Sequence, residues 1–205
     1  GIEISDLSYN EGDAATDITD NIVVTDEDDT NLDSAKVSIT SGFESSEDVL
    51  AYATALGITG NYDSGTGILT LTGTTTVANY QTALRNVTYQ NTEGTSPSTT
   101  PREISFVVYD WDGESGAVTR EINIVPSNDI PTLASLEGST ISFSEDDGPT
   151  STTATITVDD NDNVNLQGAT VSFINNYFLG EDILDYVDAN GISASFNSTT
   201  GVLSL

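Results

Sequence analysis

The chain has no cysteine, no histidine and no methionine in its 205 residues, and it carries a single tryptophan. Because there is no cysteine, no disulfide holds the fold together and a cysteine nucleophile is excluded. The absence of histidine removes the base on which most serine and cysteine nucleophiles depend. No apolar run reaches 18 residues, so the sequence contains no transmembrane helix. These absences argue against most enzymes, and we expect no catalytic activity.

Positive charge is also scarce. Lys and Arg total 4 against 33 Asp and Glu, which gives a formal net charge of −29. Such a charge argues against binding to nucleic acid or direct insertion into an anionic membrane. It also makes the compact state repel itself unless cations neutralise it. Disorder is common in very acidic chains, but here Ile, Val, Leu, Phe and Tyr recur at strand spacing throughout, so we expect a folded protein.

The chain contains an internal repeat, in which residues 7–71 match residues 141–205 at a constant spacing of 134 positions without a gap. A period of this length predicts serial domains of one fold. A fold needs its core repeated but not its carboxylates, so the acids that repeat point to function. The matched pairs include Glu11 with Glu145, Asp26 with Asp160, Asp28 with Asp162, Asn31 with Asn165, Val37 with Val171, and Gly67 with Gly201.

The repeat predicts two domains. The first spans residues 1–133, with a linker over about 126–134 in which two prolines bracket an Asn-Asp pair. The second spans 134–205 and is incomplete, because it has no counterpart of Thr72–Ala134. Either the chain is a fragment of a longer array, or another chain supplies the missing strands.

Alternation of apolar and polar residues predicts an all-β fold made of antiparallel sandwiches. Ala35, Val37 and Ile39, for example, alternate with polar neighbours as in a half-buried strand. One segment breaks this pattern, since the apolar residues of 76–87 fall at helical spacing and predict a short crossover helix in each domain. A second helical turn is expected over Asp48–Ala53.

The strongest chemical motif is an acidic loop of the form D-x-D-x-x-N. It comprises Asp26, Asp28 and Asn31, and it recurs as Asp160, Asp162 and Asn165. Ca²⁺ binds six to eight hard oxygens, and carboxylates with amide or backbone carbonyls supply them; Mg²⁺ is the stricter octahedral alternative. A solvated acidic turn is the plain alternative, which recurrence in register disfavours. The spacing fails the EF-hand template, which requires Gly at position six and Glu at position twelve.

Three further acidic positions stand at strand ends. Asp110 and Asp112 lie in a Tyr-Asp-Trp-Asp-Gly hairpin, Asn128 and Asp129 lie in the linker, and Glu11 follows the first strand. For the hairpin, a turn with acidic decoration is an equal alternative.

One further acidic pair repeats along the chain. Glu47 and Asp48 recur as Glu181 and Asp182. These acids are either additional metal ligands or the exposed start of a helix, where negative charge is favourable.

Taken in order, a Glu after the first strand, a D-x-D-x-x-N loop, a D-x-D-G hairpin and an N-D-x-P linker resemble the cadherin family. The stretch GITGNYDSGTGILTLTGTTTVANYQTALRNVTYQN and the ending NDIPTL are similar to the bacterial cadherin-like repeats of giant secreted adhesins. The resemblance covers nearly the whole chain. It implies tandem Ig-like or cadherin-like sandwiches at the cell surface or in the extracellular space, and adjacent repeats or identical subunits as partners.

The resemblance also implies Ca²⁺ ions between successive domains. Cadherins carry a D-R-E triplet where this chain has Gly73–Thr76, so one or two ions per junction are expected instead of three. The implied ligands are Glu11, Asn128 and Asp129 from domain 1 and Asp160, Asp162 and Asn165 from domain 2, with Asp26, Asp28 and one or both of Asp110 and Asp112 serving the junction before domain 1.

The expected function is a non-enzymatic, calcium-stiffened rod or spacer of a bacterial surface adhesin. A carboxylate pair acting as a glycosidase is a poor alternative, because every candidate acid lies in a repeated loop. A glycan-binding module using Trp111 and the tyrosines is a second alternative, with a surface glycan or protein as partner. A self-assembling filament subunit that exchanges strands between chains is a third, because an incomplete sandwich leaves open strand edges.

Overall fold

The computed structural model describes all residues from Gly1 to Leu205. The chain divides into two compact units, Gly1–Pro131 and Thr132–Leu205, here called unit 1 and unit 2. The division lies within the predicted linker, two residues before the expected boundary at 133. Strands are the main regular structure of both units, as the alternating pattern predicts, and the chain contains a single helix.

Unit 1 is a two-layer sandwich. One sheet has six strands in the order β1-β9-β8-β3-β6-β5, and the other has three in the order β2-β7-β4. Every pairing is antiparallel except that of the edge strand β1 with β9, which run parallel. The strands are β1 Leu7–Asn10, β2 Thr16–Asp17, β3 Asn31–Ser41, β4 Asp48–Ala51, β5 Thr59–Asp63, β6 Ile68–Thr76, β7 Thr88–Asn91, β8 Arg102–Tyr109 and β9 Val118–Val125.

The core of unit 1 lies between these sheets and is formed by alternate residues of its longer strands, together with the buried face of the helix. In β3, Ala35, Val37 and Ile39 are buried; all three pair with apolar residues of β8, and Ala35 and Val37 also pair with leucines of β6. From the other sheet Tyr89 meets Tyr9 edge to face, with ring centroids 5.2 Å apart. The predicted all-β sandwich is thereby confirmed.

The predicted crossover helix is present in unit 1 as α1, Val77–Arg85. Thr76 caps it, because its Oγ1 accepts a hydrogen bond from the Asn79 N–H at 3.2 Å. Tyr80 and Leu84 lie on its buried face. Unit 2 has no helix, because its repeated positions correspond to residues 7–71 and stop short of α1.

The helical turn expected over Asp48–Ala53 is wrong. Asp48–Ala51 forms β4, which pairs with β7 so that Leu50 faces the core opposite Tyr89. The negative charges that resemble a helix start belong instead to a buried ion-pair network, described below. A partner distant in sequence therefore overrides the local pattern.

Unit 2 repeats part of the first half of unit 1, because the counterparts of β3, β5 and β6 form strands there whereas those of β1, β2 and β4 do not. Its strands β12 and β14 pair Val171 with Leu203, as β3 and β6 pair Val37 with Leu69. The strands of unit 2 are β10 Thr132–Ala134, β11 Thr157–Asp159, β12 Thr170–Ser172, β13 Ser195–Asn197 and β14 Val202–Ser204.

The repeat extends upstream of residue 7 as well. The Glu3 carboxylate accepts hydrogen bonds from Thr19 Oγ1 and the Asp20 N–H, at 2.5 and 2.9 Å. Glu137 accepts the corresponding bonds from Thr153 Oγ1 and the Ala154 N–H, both at 2.6 Å. The two units thus share turns and hydrogen bonds as well as strands.

The candidate cation-binding ends of the repeat

Strand order places the predicted site residues of unit 1 at two opposite ends. β3 begins where its antiparallel neighbour β8 ends, so the loop before Asn31 lies beside the hairpin after Tyr109. β9 is antiparallel to β8 and therefore leads away from that end. β1 is parallel to β9, so both strands end together at the opposite end of the unit. We call the first the acidic end (Asp26, Asp28, Asp29, Asp110 and Asp112) and the second the linker end (Glu11 and residues 127–129).

The acidic end consists of two similar turns. Asp26 Oδ1 accepts hydrogen bonds from the N–H groups of Asp28 and Asp29, at 3.2 and 2.9 Å. Asp110 Oδ1 accepts from the N–H groups of Asp112 and Gly113, at 2.8 and 2.7 Å. Each turn fixes one carboxylate oxygen to the backbone and leaves the other available to a ligand. The structure thus brings together the four acids that the sequence predicted for one junction.

The electrostatics of the acidic end show how closely its two turns approach. The backbone N–H groups of Asp29 and Asp28 lower the pKa of Asp26. Desolvation raises the pKa of Asp29, and the negative charges of the other four acids raise it further. Asp29 was not predicted from the sequence, because it lies directly after the D-x-D pair and outside that spacing.

At the linker end, Glu11 meets the linker predicted to act with it. Its Oε2 accepts a hydrogen bond from the Ser127 N–H at 2.8 Å, while its own N–H donates to the Val125 carbonyl at 2.9 Å. Its Oε1 is buried and has no hydrogen-bond partner. Buried polar oxygens normally have partners, and a cation is one that can satisfy a carboxylate. The adjacent Asp129 places a second buried carboxylate oxygen in the linker.

Unit 2 repeats the first of the two acidic turns. Asp160, directly after β11, accepts hydrogen bonds from the N–H groups of Asp162 and Asn163, at 3.1 and 2.8 Å. Asn163 is the counterpart of Asp29, so the third position of this turn is polar in both units. Asn165 lies beyond the turn on an exposed stretch before β12.

Neither end forms a complete metal cage. No three acidic side chains anywhere in the chain converge closely enough to hold an ion by themselves. Carboxylates about 4 Å apart repel by about 4 kcal/mol at an effective dielectric constant near 20. Separated acids are therefore the arrangement expected without a cation, and their oxygens are of the kind that Ca²⁺ and Mg²⁺ prefer.

Glu47 and Asp48, expected to be extra ligands or an exposed helix start, have a different role. The Asp48 carboxylate accepts hydrogen bonds from Arg102 Nε at 3.1 and 3.2 Å, and from Tyr89 Oη at 2.6 Å. Glu47 accepts from Arg102 Nη2 at 3.0 Å. The Arg102 and Asp48 side chains are fully buried, so the pair cross-links the two sheets inside unit 1 and is not available to a metal.

Trp111 lies at the tip of the hairpin of the acidic end, between Asp110 and Asp112, and is 89% exposed. It flanks an open, shallow depression of about 400 Å³ formed by the hairpin itself. The exposed indole beside these carboxylates provides a spectroscopic reporter at the candidate site.

Comparison with known proteins yields one informative similarity. The chain is 40% identical over 107 residues, half of its length, to halomucin of Haloquadratum walsbyi strain DSM 16790 / HBSQ001. The matched part covers about 1% of that relative, so the similarity concerns a small portion of a very long protein. No model of a known protein family matches the chain, and no solved structure matches it. The helix α1, of nine residues, is too short to cross a membrane, and there is no other helix.

Proposed function

We propose that this chain is a non-enzymatic repeat segment of an extracellular surface protein, in which calcium stiffens the junctions between successive units. The similarity to part of halomucin supports a surface-protein repeat. The internal repeat supports a serial arrangement of similar domains. The observation that carries the calcium proposal is that the acidic turns of Asp26 and Asp110 lie side by side at one end of unit 1, while Glu11 lies against the linker at the other.

Calcium would act by changing the balance of charge at the ends. In its absence, the carboxylates of the acidic end repel one another, and Glu11 Oε1 stays buried without a partner. A bound ion cancels this repulsion and uses oxygens that the backbone turns leave available. Since the ion binds only the ordered arrangement, it also stabilises the fold, by an amount that grows with the logarithm of its concentration above the Kd. Mg²⁺ is the competing ion, and it requires stricter geometry.

Terbium luminescence tests the acidic end directly. Tb³⁺ replaces Ca²⁺ at oxygen sites, and excitation of Trp111 would sensitise its emission because the indole lies within the proposed site. We expect Ca²⁺ to displace Tb³⁺ and so to reduce the emission, and D26N/D28N to abolish it. E121Q changes an exposed acid in the middle of β9 and should leave the emission unchanged. W111F should lose the sensitised signal while calorimetry still detects calcium binding. Calcium binding that is unaffected by D26N/D28N would refute the assignment.

Small-angle scattering of the full chain tests the stiffening. We expect a narrower distribution of interatomic distances in millimolar Ca²⁺ than in EDTA, because a bound ion restricts the linker. Equal distributions in the two buffers would leave calcium binding possible but rule out its proposed mechanical role.

Strand exchange between chains is a second candidate function, favoured by the exposed core positions of unit 2. Phe143 is 66% exposed, whereas its counterpart Tyr9 in unit 1 is 1% exposed. Val171 and Ile192 show the same contrast with Val37 and Ile58. Exposed apolar faces next to open edges invite strands from other chains. Sedimentation velocity distinguishes the two functions, since strand exchange predicts concentration-dependent oligomers and the spacer predicts a monomer.

A further inference from the structure

The acidic loop of unit 1, here residues 25–30, is held at both of its ends by the helix α1. Just before the loop, the Val24 N–H donates a hydrogen bond to Gln81 Oε1 at 3.2 Å. Where the loop ends, the Thr30 carbonyl accepts a hydrogen bond from the Val77 N–H, in the first turn of α1, at 3.1 Å. The residues between these two anchors belong to no strand or helix. The path of the loop therefore depends on where α1 holds its ends.

A third contact fixes the chain that leads into the loop. The Arg85 guanidinium, in the last turn of α1, donates from Nε and Nη2 to the Ile22 carbonyl at 3.1 and 2.9 Å. Val77, Gln81 and Arg85 follow one another at intervals of four residues, so they lie along one side of the helix. The contacts of α1 with residues 22–30 thus come from a single side of the helix.

The order of this loop bears directly on its carboxylates. Asp26 comes two residues after Val24, and its Oδ1 accepts hydrogen bonds from the N–H groups of Asp28 and Asp29. A cation that uses the other oxygen of Asp26 either finds the loop already ordered or loses binding free energy to order it. Ordering the backbone of one residue corresponds to about a tenfold change in affinity. An anchor beside Asp26 can therefore set how tightly a cation binds.

We propose that α1 braces the acidic loop, and that Gln81 is a positioning residue that holds the Asp26 turn in place for a cation. Gln81 acts through the backbone that carries Asp26 and is not itself a ligand. The sequence predicted α1 only as a crossover between the sheets, and the brace gives the helix a second role. This inference rests on the proposed cation-binding function, but the order of the loop can be measured without any cation.

The first test follows amide hydrogen exchange of the full chain in EDTA. Q81M removes the acceptor and keeps a flexible side chain of similar length, without a change in charge. We expect the Asp29 amide to exchange about tenfold faster in Q81M, because the loop opens more often once its first anchor is lost. T82A changes an exposed position of α1 and should leave this rate unchanged. The Val37 amide reports an intact core. Equal exchange of Asp29 in Q81M and in the unaltered chain would overturn the proposal.

The second test measures the affinity for Tb³⁺ from the emission sensitised by Trp111. We expect Q81M to bind about tenfold more weakly than T82A and the unaltered chain. A merely structural role of Gln81 would lower the urea midpoint and leave this affinity unchanged, because nearly all molecules are folded in the absence of urea. Unchanged affinity would therefore overturn the positioning role. If the unaltered chain gives no sensitised emission, the calcium function is refuted, and the exchange of the Asp29 amide alone decides the brace.

Discussion

Replacing Arg102 by methionine tests the buried network that joins the two sheets of unit 1. The change keeps much of the side-chain volume but removes the charge that Asp48 and Glu47 bind. It also removes hydrogen bonds from the guanidinium to the Ser98 and Thr100 carbonyls. The Asp48 carboxylate then remains fully buried with only neutral partners, Tyr89 among them.

The expected loss follows from that burial. Removing one partner of a buried ion pair costs about 3–5 kcal/mol, because an uncompensated charge is left inside the protein. Since a domain of this size is stable by about 5–15 kcal/mol, R102M should lose a large part of the stability of unit 1. Burial and the hydrogen bond to Asp48 raise the pKa of Tyr89, and the charge of Arg102 opposes this rise, so its loss should raise that pKa further.

Urea unfolding followed by the near-ultraviolet circular dichroism of the tyrosines measures this loss, since six of the eight tyrosines belong to unit 1. K36M, on the more polar face of β3, should change the free energy of unfolding by no more than about 0.5 kcal/mol. D48N/R102M should be more stable than the sum of the two single losses predicts, because it removes both charges. A loss below about 1 kcal/mol in R102M, or additive losses in the double variant, would refute this account of the network.

Three further outcomes follow from the structure. Burial alone would raise the pKa of Glu3, but hydrogen bonds from Thr19 and from the backbone N–H groups of Glu3, Asp20 and Asn21 outweigh it and lower the pKa to about 2. Its contribution to stability is therefore full above pH 4.5 and lost as the pH falls toward 2, and acid titration of E3Q should lack this component. Raising NaCl from 0.1 to 1 M shortens the electrostatic screening length from about 10 to about 3 Å. Because this weakens the repulsion within a chain of net charge −29, the melting temperature should rise, and a fall over that range would contradict the role of self-repulsion. G73A should destabilise unit 1 by more than about 2 kcal/mol in urea unfolding, because Gly73 has a φ of 144° and a Cβ there would collide with the Gly57 carbonyl oxygen. The control G94A should have little effect, because the space around Gly94 is open.

Local sequence was sufficient for the features that depend on short-range periodicity. Alternation in residues 35–40 predicted β3, helical spacing in 76–87 predicted α1, and a constant offset of 134 predicted a second unit with the same register. The acidic turns were also readable, because Asp26 and Asp160 bond the backbone only two and three residues away. In each case the interaction that fixes the structure lies within a few residues or is repeated along the chain.

Only the tertiary structure decided which of these pieces meet. Asp26 and Asp110 are 84 positions apart, and they become neighbours because β3 pairs with β8. Glu11 reaches Ser127 because β1 and β9 run parallel, which an expectation of purely antiparallel sheets did not contain. Asp48 resembled a helix start until β4 carried it into the core against an arginine 54 residues away. Local pattern thus determined the elements and their repetition, whereas long-range strand pairing determined which charges lie together and whether they are buried or exposed.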